Sequence, residues 1–317
     1  MKPFPPVTTS IWFWIAFHVG VFIAIGIDLF TFRRRGRELS MGAAARRSLI
    51  WVLVSLAFNA VVWRIKGPHH GLDFLTGYLI EYSLSMDNIF VFVLIFTHFR
   101  VPPRAQHRVL VWGIIGALIM RGTMILFGIA LVQRFHFVLY IFGFFLLITA
   151  ARMFFGKHPS EDFQETRVLR FCRRILPITP EFHDVHFKVR VNDRWMLTPL
   201  ALTMIVIEVT DLAFAVDSIP AIFAITRDPF IVYTSNICAI LGLRSLYFLL
   251  AGLMNRFIYL RTGLALVLGF VGLKMITSDH VPLPRVVSLG IIVLILGITI
   301  ALSMMKTKNS TASEHEK

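Results

Sequence analysis

Charge is scarce in this 317-residue chain: 16% of the residues are Asp, Glu, Lys or Arg, while 56% are hydrophobic and 13% aromatic. Soluble domains carry about a quarter charged residues. A water-soluble globular fold is therefore excluded, and a mean hydropathy of +0.73 places the chain in a bilayer. Acids are rarer than bases, 18 Asp and Glu against 32 Lys and Arg, for a formal net charge of +14. That excess does not mark a nucleic-acid partner, because the bases sit in short segments between apolar runs, as orientation signals beside anionic lipid do. Cysteine is nearly absent. Cys172 in a polar loop and Cys238 in an apolar run have neither the number nor the spacing of a disulfide framework or a zinc site.

What is present is apolar length. A spanning helix needs about 20 mainly apolar residues, and reading by that length predicts nine spans: 11–31, 48–64, 73–97, 109–131, 137–155, 199–225, 231–253, 260–277 and 286–304. Arg33, Arg34, Arg35 and Arg37 follow the first run, whereas a signal peptide carries its positive charge before the apolar run. It reads as a retained span. With the N-terminus outside, the inner segments hold 22 Lys and Arg and the outer segments six, which predicts an outer N-terminus and an inner C-terminus.

The one sizeable polar insertion joins the fifth and sixth spans. Within 157–198, "EDFQETRVLRFCRRIL" has helical spacing with a basic face, as for a helix lying on the membrane surface, and "HFKVRVNDRWML" alternates like a hairpin about Asn192-Asp193. A packed cap joining two halves, or a regulatory surface for a protein partner, both fit the 156–198 segment. The tail 305–317 is polar without periodicity and predicts disorder.

The halves themselves resemble each other. "EYSLSMDNIF" (81–90) aligns without gaps on "DLAFAVDSIP" (211–220), "GALIMRGTMILFG" on "AILGLRSLYFLLAG", and "GFFLLITAARM" on "ALVLGFVGLKM". Glu81 then matches Asp211, Asp87 matches Asp217, Asn88 matches Ser218, and Arg121 matches Arg244. An odd number of spans precedes the second unit, so the two units enter the membrane from opposite sides. The predicted organisation is an all-α polytopic bundle: an N-terminal helix pair (1–66), two inverted-topology three-helix repeats (73–156 and 199–277), a linker (157–198), a ninth span (286–304) and the tail. Substrate sites of such folds lie near the midplane.

Five acids inside two of these spans demand a reason. An ionised Asp at a helix centre costs about 2.5–3.5 kcal/mol on insertion scales. Arg121 and Arg244 supply partners for buried ion pairs, but Glu81, Asp87, Glu208, Asp211 and Asp217 outnumber them. A bound cation or protonation accounts for the surplus. On one straight helix Glu208 and Asp211 share a face, while Asp217 is rotated by about 240° from Asp211. Pro220 predicts a kink beside Asp217 and Ser218 that frees carbonyl oxygens. Carboxylates with carbonyls and the side chains of Asn88 and Ser218 suit a hard cation such as Mg²⁺, Ca²⁺ or Mn²⁺. Asp28, near the inner end of the first span, suits an ion pair with Arg33, a cytoplasmic gate or an auxiliary ligand. His18 reads as a satisfied packing residue, and Asn59 and Asn236 as bonds between helices.

"EYSLSMDNIFVF", "TPLALTMIVIEVTDLAFAVDSIPAIFAIT" and "DPFIVYTSNICAILGLRSLYFLLAG" closely resemble the TerC/Alx family of bacterial inner-membrane proteins, over about residues 20–277. The resemblance implies nine spans, Mn²⁺ export in one branch and an association with tellurite resistance in the other. It carries the family's acidic motifs onto Glu81, Asp87, Asn88, Glu208, Asp211, Asp217 and Ser218, and onto Asp28 in "IDLF". The expected function is a transporter, not an enzyme, with no resident cofactor. It would export Mn²⁺ in exchange for H⁺ across a bacterial inner membrane, with Arg121 and Arg244 positioning the acids. The alternative is a membrane scaffold acting in metal stress and in metalation of exported proteins, which would depend on the 156–198 segment more than on the acids.

Overall fold

The computed structural model describes residues 9–33, 41–135, 137–155, 174, 176–179, 185–191, 193–251, 259–277 and 283–315. The predicted surface helix in the polar insertion and the side chain of Asp87 lie outside the described residues, as do Arg34 to Arg37 and Asn192.

The helices are α1 (Ile11–Arg33), α2 (Met41–Lys66), α3 (Pro68–His98), α4 (Pro103–Arg134), α5 (Val138–Phe155), α6 (Pro199–Phe223), α7 (Pro229–Leu241), α8 (Leu243–Ala251), α9 (Leu260–Thr277) and α10 (Arg285–His315). Proline opens α3, α4, α6 and α7, where its missing N–H removes no intrahelical bond. Two of these starts are also capped. Thr198 Oγ1 accepts from Ala201 N, and Asp228 Oδ1 accepts from Phe230 N at 2.9 Å.

Among the described residues, eight helices are long and apolar enough to cross a membrane, or nine if α7 and α8, bent by 43°, cross together as one span. The chain is an all-α polytopic membrane protein. The break between helices lies at Gly242, whereas α6 runs uninterrupted through Pro220, where the sequence predicts a kink. Pro220 falls in the last turn of α6, so the single bond it removes leaves few turns to disrupt, and Ala224 N still donates to the Pro220 carbonyl at 3.2 Å.

α3 is the centre of the bundle, with 62% of its apolar window buried, and α1 is its periphery, with 11%. α3 packs on α2, α6, α7, α8 and α10, α4 on α6 and α7, and α5 most extensively on α9. The α5–α9 pair is drawn together by glycine: a Cβ at Gly143 would lie 3.1 Å from the Gly272 carbonyl, and one at Gly272 would lie 2.9 Å from the Gly143 carbonyl. Small residues allow such an approach where lipid supplies no hydrophobic drive.

Before α6, β1 (Lys188–Val191) and β2 (Arg194–Leu197) form an antiparallel hairpin in which Val191 pairs with Arg194. Asp193, at φ 61°, takes the left-handed conformation that such two-residue turns require. Thr198 Oγ1 donates to the His186 carbonyl at 2.6 Å, tying the hairpin to the start of α6. α10 continues through His315 into the segment whose composition predicted disorder. Beyond the last Gly297 it meets no proline or glycine, and extending an existing helix adds a hydrogen bond per residue without a new nucleus.

Candidate functional site: an arginine shared by two acids

On α3, Glu81, Ser85 and Asn88 recur at four- and three-residue spacing and form one stripe, at 2%, 0% and 3% exposure. On α6, Asp211 and Ser218 are seven residues apart and equally buried. α4 brings Arg121 between the two helices. Its Nη2 donates to Asp211 Oδ1 at 3.0 Å and its Nε to Oδ2 at 3.2 Å, a two-pronged contact. Its Nη1 donates to Glu81 Oε1 and lies 3.5 Å from both Ser218 Oγ and Asn236 Oδ1, the last from α7. Four helices therefore meet at one guanidinium with no solvent exposure.

Glu208 lies one turn before Asp211 and faces α4, as the three-residue spacing requires. Its carboxylate rests where α4 has no side chain: a Cβ at Gly116 would come within 2.6 Å of its Cδ and Oε2. Only glycine leaves that space without displacing the acid. Among the described residues no cation pairs with Glu208. Beside it is a cavity of about 20 Å³ lined by Phe92, Gly113, Glu208, Asp211, Leu243 and Arg244, which is room for one particle of the size of water.

Asp217 points elsewhere, and its Oδ1 accepts from Thr149 Oγ1 of α5 at 3.1 Å. The rotation along α6 separates it from Asp211, and the unbroken helix keeps it separate. Asn88 shares the stripe of Glu81 without reaching Arg121. Of the six predicted site residues whose side chains are described, Glu81, Asp211 and Ser218 meet at Arg121, Glu208 borders them, and Asp217 is apart. Among the described residues, no three His, Cys, Asp or Glu side chains gather closely enough to hold a metal ion.

Arg244 stands just past the bend, in the first turn of α8. It donates to Asp28 of α1 and also lies 3.4 Å from the Asp28 carbonyl. The sequence placed Arg33 beside Asp28. Arg33 follows on the same helix, but α1 packs on the seventh span, which offers a base already committed to the interior.

Sequence reasoning missed several parts of this arrangement. The sequence predicts Asn236 only as a bond between helices, yet its Oδ1 faces Arg121 and its Nδ2 is buried without a partner. The Ser85 hydroxyl is likewise buried and unpartnered. Their signal was position: Ser85 is four residues from Glu81, and Asn236 stands alone in "NICAIL". At the other end of the bundle, Lys66 Nζ lies 2.7 Å from Asp228 Oδ2, His70 Nε2 lies 3.5 Å from the same oxygen, and Arg285 Nε lies 2.7 Å from Asp73 Oδ1.

A family model described as "Integral membrane protein TerC family" matches residues 66–311. A Myxococcus xanthus protein described as an uncharacterized membrane protein is 46% identical over 314 residues, covering 99% of this chain and 98% of its own length. An Escherichia coli (strain K12) protein named "Putative membrane-bound redox modulator Alx" is 46% identical over 295 residues, covering 90% and 92%. A Rickettsia bellii membrane protein is 38% identical over 293 residues, covering 92% and 97%. No solved structure matches the chain.

Proposed function

Because the chain belongs to the TerC family of integral membrane proteins, we propose that it is a secondary transporter of a divalent cation, Mn²⁺ foremost, moved outward in exchange for protons. The observation that carries this reading is the charge around Arg121. Two carboxylates, Glu81 and Asp211, lie against one guanidinium, and a third, Glu208, sits one turn from Asp211 with a small cavity beside both. Fully ionised, that group is short of two positive charges. One divalent ion or two protons supply them, and the two choices are the two sides of an exchange. Hard oxygen donors favour Mn²⁺, Ca²⁺ or Mg²⁺ over soft ions.

The packing supports two inverted units. If α3, α4 and α5 correspond to α6, α7–α8 and α9, the contact of α3 with α7–α8 maps onto that of α6 with α4, and the α5–α9 contact maps onto itself. Alternating access then follows from rocking one unit against the other about Arg121. In this reading Arg121 holds Glu81 and Asp211 while the cation is absent, and cargo enters through Glu208. Asp28 and Arg244 serve as a gate at the bend. The excess of Lys and Arg in the predicted inner segments supports a periplasmic N-terminus and a cytoplasmic C-terminus in a bacterial inner membrane. The reading needs no covalent chemistry and no resident cofactor.

Flux of Mn²⁺, Ca²⁺ and Mg²⁺ into proteoliposomes under several pH gradients tests it. Mn²⁺ flux that follows the pH gradient and fails in Glu208→Gln is the expected result. Equal flux in protein-free vesicles, or in the variant at equal protein, would overturn it.

A further inference from the structure

α1 is held to the seventh span at three levels. Thr9, just before α1, accepts from Lys66 Nζ at 2.6 Å, and the same ammonium holds Asp228 at the start of α7. Midway, His18 Nδ1 lies 2.8 Å from the Trp14 carbonyl, which can only accept, so Nδ1 carries the proton and Nε2 accepts from Tyr233 Oη at 3.0 Å. Beyond the bend, Asp28 takes Arg244.

Aromatic side chains fill the part near Lys66. Trp14 and Phe17 pack on Phe230 and Tyr233, with ring centroids 5.2–6.3 Å apart, and Phe17 meets Phe58 of α2 at 5.1 Å. That filling is incomplete: an apolar cleft of about 370 Å³ runs between α1, α2 and α7 from the level of Phe13 and Phe230, past Gly20, Val54 and Cys238, to that of Ala24 and Leu241.

Packed proteins hold few voids larger than a water molecule, and walls this apolar give water too few partners. A helix does not fit either. α1 is tied to the bundle at Thr9–Lys66 and at Asp28–Arg244, so it does not move aside to admit an element about 10 Å across. A single hydrocarbon chain is slender enough, and the bilayer around α1 and α2 supplies it.

We propose that this gap is a binding site for one acyl chain of a membrane phospholipid, inserted between α1, α2 and α7 above the Asp28–Arg244 pair. The chain would lie against Leu241 and keep α1 off the span next to its bend. The site stands whether or not a cation is the cargo.

The probe is a phosphatidylethanolamine with a diazirine midway along one acyl chain, reconstituted with the full-length protein and photolysed, with the adducts mapped on peptides. Adducts concentrated on the peptides of Gly20, Val54 and Cys238 are expected. Gly20→Leu with Ala24→Leu fills the gap; a Cβ at Gly20 meets nothing within 4 Å, so the larger side chain has room. These adducts should be lost in that variant, because the two leucine side chains take up the space that the acyl chain would fill. Ile23→Leu on the exposed side of α1 should leave them unchanged. Adducts spread evenly onto lipid-facing residues such as Phe127 and Phe144, or insensitive to the filling substitutions in a variant that keeps the wild-type melting temperature, would overturn the proposal. If the filled variant fails to fold, the wild-type map alone decides between the concentrated and the even pattern.

Discussion

Arg121 and Arg244 occupy corresponding places in two segments whose sequences align, yet they keep different partners. Arg121 is unexposed and takes Glu81 from α3 and Asp211 from α6, one acid from each segment. Arg244, at 2% exposure, takes Asp28 from α1, which belongs to neither. The two acids that the alignment makes equivalent both serve one guanidinium, so its counterpart must recruit an acid from outside. A repeated sequence therefore does not impose a repeated site. With so few acids in the spans, satisfying one arginine decides what remains for the other. The environments differ too: the Asp28 side chain is 18% exposed and that of Glu81 only 2%.

The largest expected break of this comparison is Arg121→Leu, which leaves two buried carboxylates facing each other. Removing one partner of a buried ion pair costs about 3–5 kcal/mol, a large part of the total stability of a typical domain. Thermal melting in detergent should show a collapsed transition or no folded protein. Adding Glu81→Gln and Asp211→Asn to Arg121→Leu should restore much of it. Arg244→Leu should cost less, about 1–3 kcal/mol, because Asp28 reaches solvent more easily. A double-mutant cycle with Asp28→Asn isolates that pair, and equal losses at the two arginines would end the distinction drawn between them.

Gly116→Ala sharpens it further. The added methyl enters the space of the Glu208 carboxylate, a flexible group able to move, so stability should change by less than about 1 kcal/mol. Cation flux in proteoliposomes should nevertheless fall. The smallest effect is expected at Arg190→Ala in the hairpin. Its pair with Asp193 is 60% and 91% exposed, and such surface pairs contribute about 0–1 kcal/mol, so the melting temperature should scarcely move.

The helices were legible because a bilayer imposes a length. The apolar run at 260–277 is the helix Leu260–Thr277, and the run at 137–155 is Val138–Phe155. Helical rotation sets Asp217 apart from Glu208 and Asp211 on a straight helix. The kink at Pro220 that the sequence predicts does not bring it back, since α6 runs unbroken through Pro220. What could not be read depended on how helices approach one another. The seat of Glu208 exists because α4 presents Gly116 to α6, and no local pattern in either helix states that. The bend at Gly242 arises where α7 and α8 pack between α2, α3 and α4, while Pro220, the obvious breaker, falls too near a helix end to matter. Asp28 likewise looked local to Arg33, but its partner is 216 residues away.

The two arginine sites also divide the proposed function. Glu208 has no cation among the described residues and borders the cavity, whereas Asp28 is already satisfied by Arg244. Initial Mn²⁺ flux in proteoliposomes, measured under one pH gradient for Glu208→Gln and Asp28→Asn at equal protein, is the most direct test. The account predicts that Glu208→Gln abolishes flux and that Asp28→Asn slows it without stopping it. Full flux in Glu208→Gln, or its loss only in Asp28→Asn, would contradict a cation path through the Arg121 acids.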